Sequence, residues 1–443
     1  MAKIKTIKIL AFVMFINIGF SLDWSGYLST DHRLFLKEDY PLSFEEYRLS
    51  LSPEQTISEN LKFHSEIWLR SFGLPYITNL SDLYSKEKIT PFNLDIREAY
   101  IDILKFPLKN FDIRIGRQRI AWGTADKINP TDNINPLDLE DIWDFGRHLS
   151  SNGIKIDGYV KDFNLSYIFI PRFTPAVLPQ EDWFNTKNSE INLPPGLIPL
   201  NITNSIAMPD YAIENSLNGV RLKKNLFGLD FSLSYASIRD GIPILTNTTI
   251  VPAGMSGEVN IYNTLSFPEM QMIGFDFAGA IKDIGIWAEC ALFFPESINY
   301  RIDMSQLGMS VIDSLILDKK PYAKYVIGTD YTFKNGIYIN LQYAHGFFYE
   351  RNEEIEDYLL AGLEWKLLEE RLKLMPLSGG LEIKDFSDIK DNYAFVYMPE
   401  VSYKPVEDCE LSIGLRLIDG KEGTNFGMMK EDDEVFLKVK YSF

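Results

Sequence analysis

The sequence predicts an all-β fold: a transmembrane antiparallel β-barrel of about 18 strands, with short periplasmic turns and long external loops. Three observations carry that reading. Apolar and polar residues alternate with period two in segment after segment. The links between those segments alternate between short and long. After residue 21 no stretch approaches the roughly eighteen continuous apolar residues of a membrane helix.

Composition narrows the function classes. The 443 residues hold 44 Lys+Arg against 62 Asp+Glu, a formal net charge of −18. Nucleic-acid phosphates repel such a chain, so no nucleic-acid partner is expected. An aromatic content of 14% argues against disorder. Two cysteines build neither a disulfide framework nor a four-thiolate zinc site.

The first element is an address. Residues 1–21 place Lys3, Lys5 and Lys8 before an apolar run from Ile9 to Phe20, with Gly19 and Ser21 as small residues at the cleavage site. This is the pattern of a secretory signal peptide cleaved after Ser21. The run is too short to span a bilayer comfortably. Cleavage takes the net charge from −18 to −21, because three lysines leave.

Residues 22–443 read as one barrel domain. The strand segments are 23–31, 44–52, 59–70, 95–105, 111–120, 151–161, 163–173, 215–223, 227–238, 269–281, 284–294, 321–333, 337–347, 355–366, 371–383, 391–404, 408–418 and 432–443. The last is the clearest sample. Val435, Leu437, Val439, Tyr441 and Phe443 share one face, while Lys438, Lys440 and Ser442 share the other. Lipid suits the first face and a water-filled lumen the second. Short links such as Lys161-Asp162, Lys224–Leu226, Lys282-Asp283 and Lys334-Asn335-Gly336 read as periplasmic turns. Segments 71–94, 121–150, 174–214, 239–268 and 295–320 read as external loops.

Two motifs carry a resemblance. The terminal Lys-Val-Lys-Tyr-Ser-Phe443 resembles the signal read by the machinery that inserts bacterial outer-membrane barrels. The stretch Arg114-Ile-Gly-Arg-Gln-Arg-Ile-Ala-Trp-Gly123, followed by Asn129-Pro130 and Asn135-Pro136, looks like a porin-like family of largely uncharacterised outer-membrane proteins. It is also loosely similar to eighteen-stranded alginate-export barrels. The resemblance implies a Gram-negative outer-membrane location, with lipid, lipopolysaccharide and the barrel-assembly machinery as partners.

Segment 111–150 concentrates the chemistry. Gly116 is expected to admit a bulge or a close backbone approach; Arg114, Arg117 or Arg119 then either face the pore or form a salt-bridge network that holds the loop to the wall. The near-repeat Ile128-Asn-Pro-Thr-Asp132 and Ile134-Asn-Pro-Leu-Asp138 stiffens the loop, because each proline restricts its own φ and the preceding Asn. Asp138-Leu-Glu-Asp141 suggests a short capped helix. Loop 121–150 is therefore expected to be ordered and to act as the constriction, with Arg114, Arg117, Arg119, Asp126, Asp132 and Asp138 as pore residues; the alternative is an external cap. Its six acids and two bases leave net −4, as do residues 347–357 and 419–434, which predicts an acidic, cation-enriching mouth.

The functional expectation is passive diffusion of small hydrophilic solutes. The alternatives are a dedicated exporter or importer of a polysaccharide or other oligomer, and a closed structural or adhesive barrel. No enzyme is expected: His148 lies near Asp144, Ser150 and Ser151, but no set of nucleophile, base and orienter is recognisable. No cofactor or metal is expected, since the spacing of Asp132, Asp138, Glu140 and Asp141 matches no calcium loop.

Overall fold

A computed structural model describes residues 22–75, 77–179, 193–254 and 257–443. The signal-peptide segment 1–21 lies outside the described residues. Strands appear in the order β1 (Asp23–Phe35), β2 (Leu42–Ser58), β3 (Leu61–Phe72), β4 (Asn93–Ile103), β5 (Phe111–Gln118), β6 (Ser151–Val160), β7 (Phe163–Ile170) and β8 (Ile198–Ala207). Then come β9 (Leu217–Leu226), β10 (Leu229–Arg239), β11 (Ile244–Pro252), β12 (Glu258–Ser266), β13 (Glu269–Ile281), β14 (Ile284–Pro295), β15 (Ile298–Asp303) and β16 (Ile312–Leu317). The last are β17 (Tyr322–Thr332), β18 (Ile337–His345), β19 (Asp357–Leu367), β20 (Leu372–Ile383), β21 (Tyr393–Tyr397), β22 (Glu400–Val406), β23 (Cys409–Gly420) and β24 (Glu434–Ser442).

Barrel strands pair antiparallel in chain order, with β7–β9, β10–β13 and β14–β17 passing over the strands of the long loops, and β1 pairs with β24, so the sheet closes. β21 and β22 are two halves of one staircase position, since both bridge β20 and β23. Counted that way, the barrel has 18 strands. The Phe443 and Gly26 backbones exchange two hydrogen bonds of 3.0 Å at the seam. Closure pairs every strand edge, which a membrane-spanning sheet requires.

The alternation predicted from sequence sets the two faces. Leu233, Ile327, Leu341, Ile413 and Leu437 are each about half exposed on the outside. Their neighbours Ser234, Gln342 and Ser412 are buried inside. Tight links such as Lys161-Asp162 and Lys282-Asp283 sit at one end, with Lys161 and Lys282 at positive φ.

Three features differ from the sequence expectation. Strand β9 runs on to Leu226, past the predicted end at 223, and the turn becomes Phe227-Gly228. Lys223 faces inward, and Lys224 lies over the Phe163 ring at 4.2 Å, so the strand absorbs both lysines. The long loops 174–214, 239–268 and 295–320 are not simple loops. They contribute β8, β11, β12, β15 and β16 to a separate five-stranded sheet in the order β16-β15-β11-β12-β8. Ile250, Val259, Ile261 and Met304 form its own small core. Asp138–Asp141 forms no helix.

Candidate functional site in the lumen

A barrel of this size leaves an aqueous channel unless something fills it. Segment 119–150, between β5 and β6, fills much of it. Ile120, Trp122 and Ile134 pack with inward residues of β7, β9, β10, β13 and β14. Ile128 and Trp143 pack with inward residues of β1, β17, β18, β19 and β21. One segment therefore touches opposite walls. Full burial of a side chain such as Ile134, only 1% exposed, contributes about 1.5–3 kcal/mol.

Polar contacts fix the segment at both walls. On β14, the buried Glu289 carboxylate accepts from the Thr124 amide, from the Ala125 amide at 2.5 Å, and from Asn129 Nδ2 and Thr131 Oγ1, both at 2.9 Å. On β18, Gln342 Nε2 donates to the Asp126 carbonyl at 3.1 Å. The opposite wall presents arginines. Arg33 on β1 makes twin hydrogen bonds to Asp141, at 2.8 and 2.5 Å. Arg70 on β3 donates to Glu140 at 2.8 Å, and Arg97 on β4 donates to Asp138 at 2.9 Å. Asp138-Leu-Glu-Asp141 thus meets three wall arginines in place of forming a capped helix.

The two Asn-Pro repeats act as internal pins. Asn129 Nδ2 donates to the Ala125 carbonyl at 2.8 Å. The Ile120 amide donates to Asn135 Oδ1 at 2.6 Å, while Asn135 Nδ2 donates to the Gln118 carbonyl at 3.2 Å. Arg119 forms a salt bridge with Asp132 and faces His148 Nδ1 at 3.1 Å. Burial holds the His148 ring below its ordinary pKa, and the Arg119 charge adds to this.

The six residues singled out by sequence fall in different places. Arg114 faces the lumen, with Nε 2.7 Å from Asp102 Oδ1 and its guanidinium 3.8 Å from the Tyr100 ring centre. Arg117 points outward. Register runs unshifted through Gly116, so Arg117 keeps step with Ile113 and Ile115 and donates to the Ile96 carbonyl at 2.5 Å. The expected bulge is therefore absent there. Gly116 serves instead for close approach: its φ is 134°, and a Cβ would sit 2.3 Å from the Ala99 carbonyl oxygen. Arg119, Asp132 and Asp138 lie within the crossing segment as paired charges. Asp126 lines a recess of about 260 Å³ with Tyr338, Asn340 and Glu364.

A second recess, of about 520 Å³, opens on the turn side beneath the segment and is lined by Arg114, Arg119, Lys155, Asp157, Arg221 and Lys223. On the loop side a smaller cavity of about 110 Å³ is walled by Trp143, Phe347, Phe348, Tyr349 and Phe426. Part of the acidic mouth expected from loop charges takes a different form, while Asp144 and Glu422 stay exposed. Asp132, Asp138, Glu140 and Asp141 are matched by arginines, and Glu350, Glu356 and Glu434 are buried. Their charge is spent in ion pairs and hydrogen bonds and does not form a solvated rim.

Sequence reasoning passed over the anchors Arg33, Arg70 and Arg97 and the role of Gln342. Arg33, Arg70 and Gln342 sit at inward positions of alternating strands, which was the available signal, whereas Arg97 is turned inward by a bulge opposite Glu66 and Ile67 that alternation does not show. Alternation along segment 284–294 places Glu289 on the inward face, but its grip on residues 124–131 spans more than 150 positions and has no local signature.

No protein-family profile matches the chain, and no curated protein matches it. Solved structures of similar architecture include a porin and other outer-membrane proteins. Salmonella typhi OmpF shares 10% identity at a TM-score of 0.42, over 96% of this chain and 98% of that one. A Rh. blastica porin mutant shares 9% at 0.41, over 96% and 100%. Vibrio cholerae OmpT shares 10% at 0.40, over 96% and 100%. The likeness is one of barrel architecture, and no residue role is carried across.

Proposed function

We propose that the chain is a bacterial outer-membrane channel for passive diffusion of small hydrophilic solutes, with segment 119–150 as its filter. One observation carries this reading: a segment anchored to opposite walls narrows an eighteen-stranded lumen and leaves polar recesses beside it. The apolar outer belt supports insertion in lipid, with the lipid and lipopolysaccharide of the outer membrane as surroundings. The terminal strand supports delivery by the barrel-assembly machinery. A porin, a polymer exporter and a closed barrel share this architecture, and the filter's contact with both walls gives the closed barrel its one specific argument.

Purified protein in planar bilayers separates them. The channel reading expects stable conductance from the natural chain and larger single-channel steps when the segment is shortened between Thr124 and Asp144. Unchanged steps would mean that another segment sets the narrowest point. Silence from the natural chain would favour the closed barrel, and block by added oligosaccharide the polymer route.

A further inference from the structure

Charge is unevenly shared around the lumen. Seven bases and three acids line the turn-side recess beneath Ile120 and Trp122, in a chain of net charge −18. Three of those bases pair with Asp102, Asp132 and Asp276 beside the recess, and bases still exceed acids when these are counted. Register makes the excess costly. Arg114 on β5 stands directly opposite Lys155 on β6, and like charges so placed destabilise a strand pair. Both side chains stay accessible, at 29% and 28% exposure. Arg221 and Lys223 follow two residues apart on the same face of β9. Among the described residues Lys223 has no carboxylate partner.

Donors remain unspent here. Arg114 gives Nε and Nη2 to Asp102, and Arg221 gives Nε to Ser232 and Nη2 to Asp276, which leaves Nη1 of each for a ligand. Two of the acids that line the recess are engaged: Asp157 accepts from Lys155 at 2.8 Å and from Ser166, and Asp230 accepts from Asn225 at 3.0 Å. The third, Asp162, lies in the turn at the rim. We propose that this recess binds the oxyanion group of a small solute, a carboxylate or a phosphate, among Arg114, Lys155 and Lys223. Such a group relieves the opposed pair and accepts charge-assisted hydrogen bonds from the unspent donors. A volume of about 520 Å³ falls within the roughly 300–1,000 Å³ of small-molecule sites, and Tyr159, Asn164 and Ser166 offer partners to the hydroxyls of an attached body. The inference names a solute class for the channel proposed above and rests on that reading for its role, while binding itself is independent of conduction.

The test titrates purified, folded protein in uncharged detergent by calorimetry, with sodium gluconate, sodium phosphate and, as the uncharged match, glucose. The expected result is that gluconate or phosphate binds at least tenfold more tightly than glucose, the tighter of the two identifying the group. Lys155→Gln with Lys223→Gln should weaken that binding by roughly tenfold or more, as the loss of charged hydrogen bonds implies. Heat-modifiable migration on gels reports folding; should the double variant misfold, Lys223→Gln alone, which breaks no ion pair, should still weaken binding severalfold. Lys366→Gln, on β19 outside the recess, should leave it unchanged. No anion binding by the folded natural protein overturns the proposal, as does equal affinity for glucose or binding that survives loss of the recess lysines in folded protein. An equal loss in Lys366→Gln would assign the effect to net charge and also overturn it. Silence in planar bilayers with anion binding intact would sink the channel reading alone, and conductance without anion binding would sink the site alone.

Discussion

Replacing Asp141 with Asn should loosen the filter from the arginine wall. Arg33 and Asp141 make two hydrogen bonds, and their side chains are 1% and 9% exposed. Removing one partner of a buried pair costs about 3–5 kcal/mol. Arg33 keeps Asp31, whose Oδ2 lies 2.7 Å from Nη2, so the lower figure of about 3 kcal/mol applies. At about 1.4 kcal/mol per tenfold, the undocked population should rise roughly a hundredfold. Arg70–Glu140 and Arg97–Asp138 remain, so the change should be confined to residues 139–145. Hydrogen exchange reads it directly: amides around Trp143 should lose about two orders of magnitude of protection. Arg33→Met with Asp141→Leu should recover most of it, because an apolar pair of similar volume replaces the ions. The pH dependence has a definite sign. Burial raises the Asp141 carboxyl, but the Arg33 charge and hydrogen bonds outweigh burial and hold it well below the usual range. Its stabilisation is present above the ordinary carboxylate pKa and is lost only as pH falls through the depressed value. Docking should thus be flat between pH 5 and 8. Unchanged protection in Asp141→Asn would refute the clamp.

Three further outcomes follow from the same structure. Residues 421–430 are held in the mouth by Glu382, which accepts from the Asn425 and Phe426 amides, and by Glu350 and Glu356 around Asn425 Nδ2. Burial, then the neighbouring Glu382, pushes Glu356 up to about 8, and burial raises Glu350, so the docked form binds protons that the released form gives up. Docking should be strongest at or below ordinary carboxylate pKa values and weaken as pH rises toward about 8; exchange of residues 421–430 that ignores pH, or a response that persists in Glu356→Gln, would contradict this. Deleting Phe443 removes both seam bonds to Gly26, so the folded barrel recovered from membranes should fall severalfold, and normal levels would count against the seam. A tag between Asp318 and Lys319 should be labelled on intact cells and one between Lys161 and Asp162 only after permeabilisation; the reverse pattern would invert the topology.

The barrel was legible because its physics is local and periodic. Each of the predicted segments overlaps an observed strand or, for 391–404, the broken pair β21 and β22. Period two assigned Leu437 outward and Lys438 inward without tertiary information. The external sheet was not legible, because β8 pairs with β12 and β15 with β11 in parallel, each across more than fifty residues. The filter was partly legible. Its rigidity followed from Asn129-Pro130 and Asn135-Pro136, whereas its charge state did not: a net charge summed over a loop ignores Arg33, Arg70 and Arg97 on remote strands. Arg117 shows the same limit from the other side, since a single assumed bulge at Gly116 reversed the face assigned to it.

Uptake of uncharged sugars of increasing size into proteoliposomes tests the central claim most directly. Neutral solutes remove the charge effects and leave the width set by segment 119–150. The account predicts entry of the smallest sugars with rates that fall steeply with size, and a shallower fall when the segment is shortened between Thr124 and Asp144. No uptake of the smallest sugar by folded natural protein, or an identical size dependence in both proteins, would contradict it.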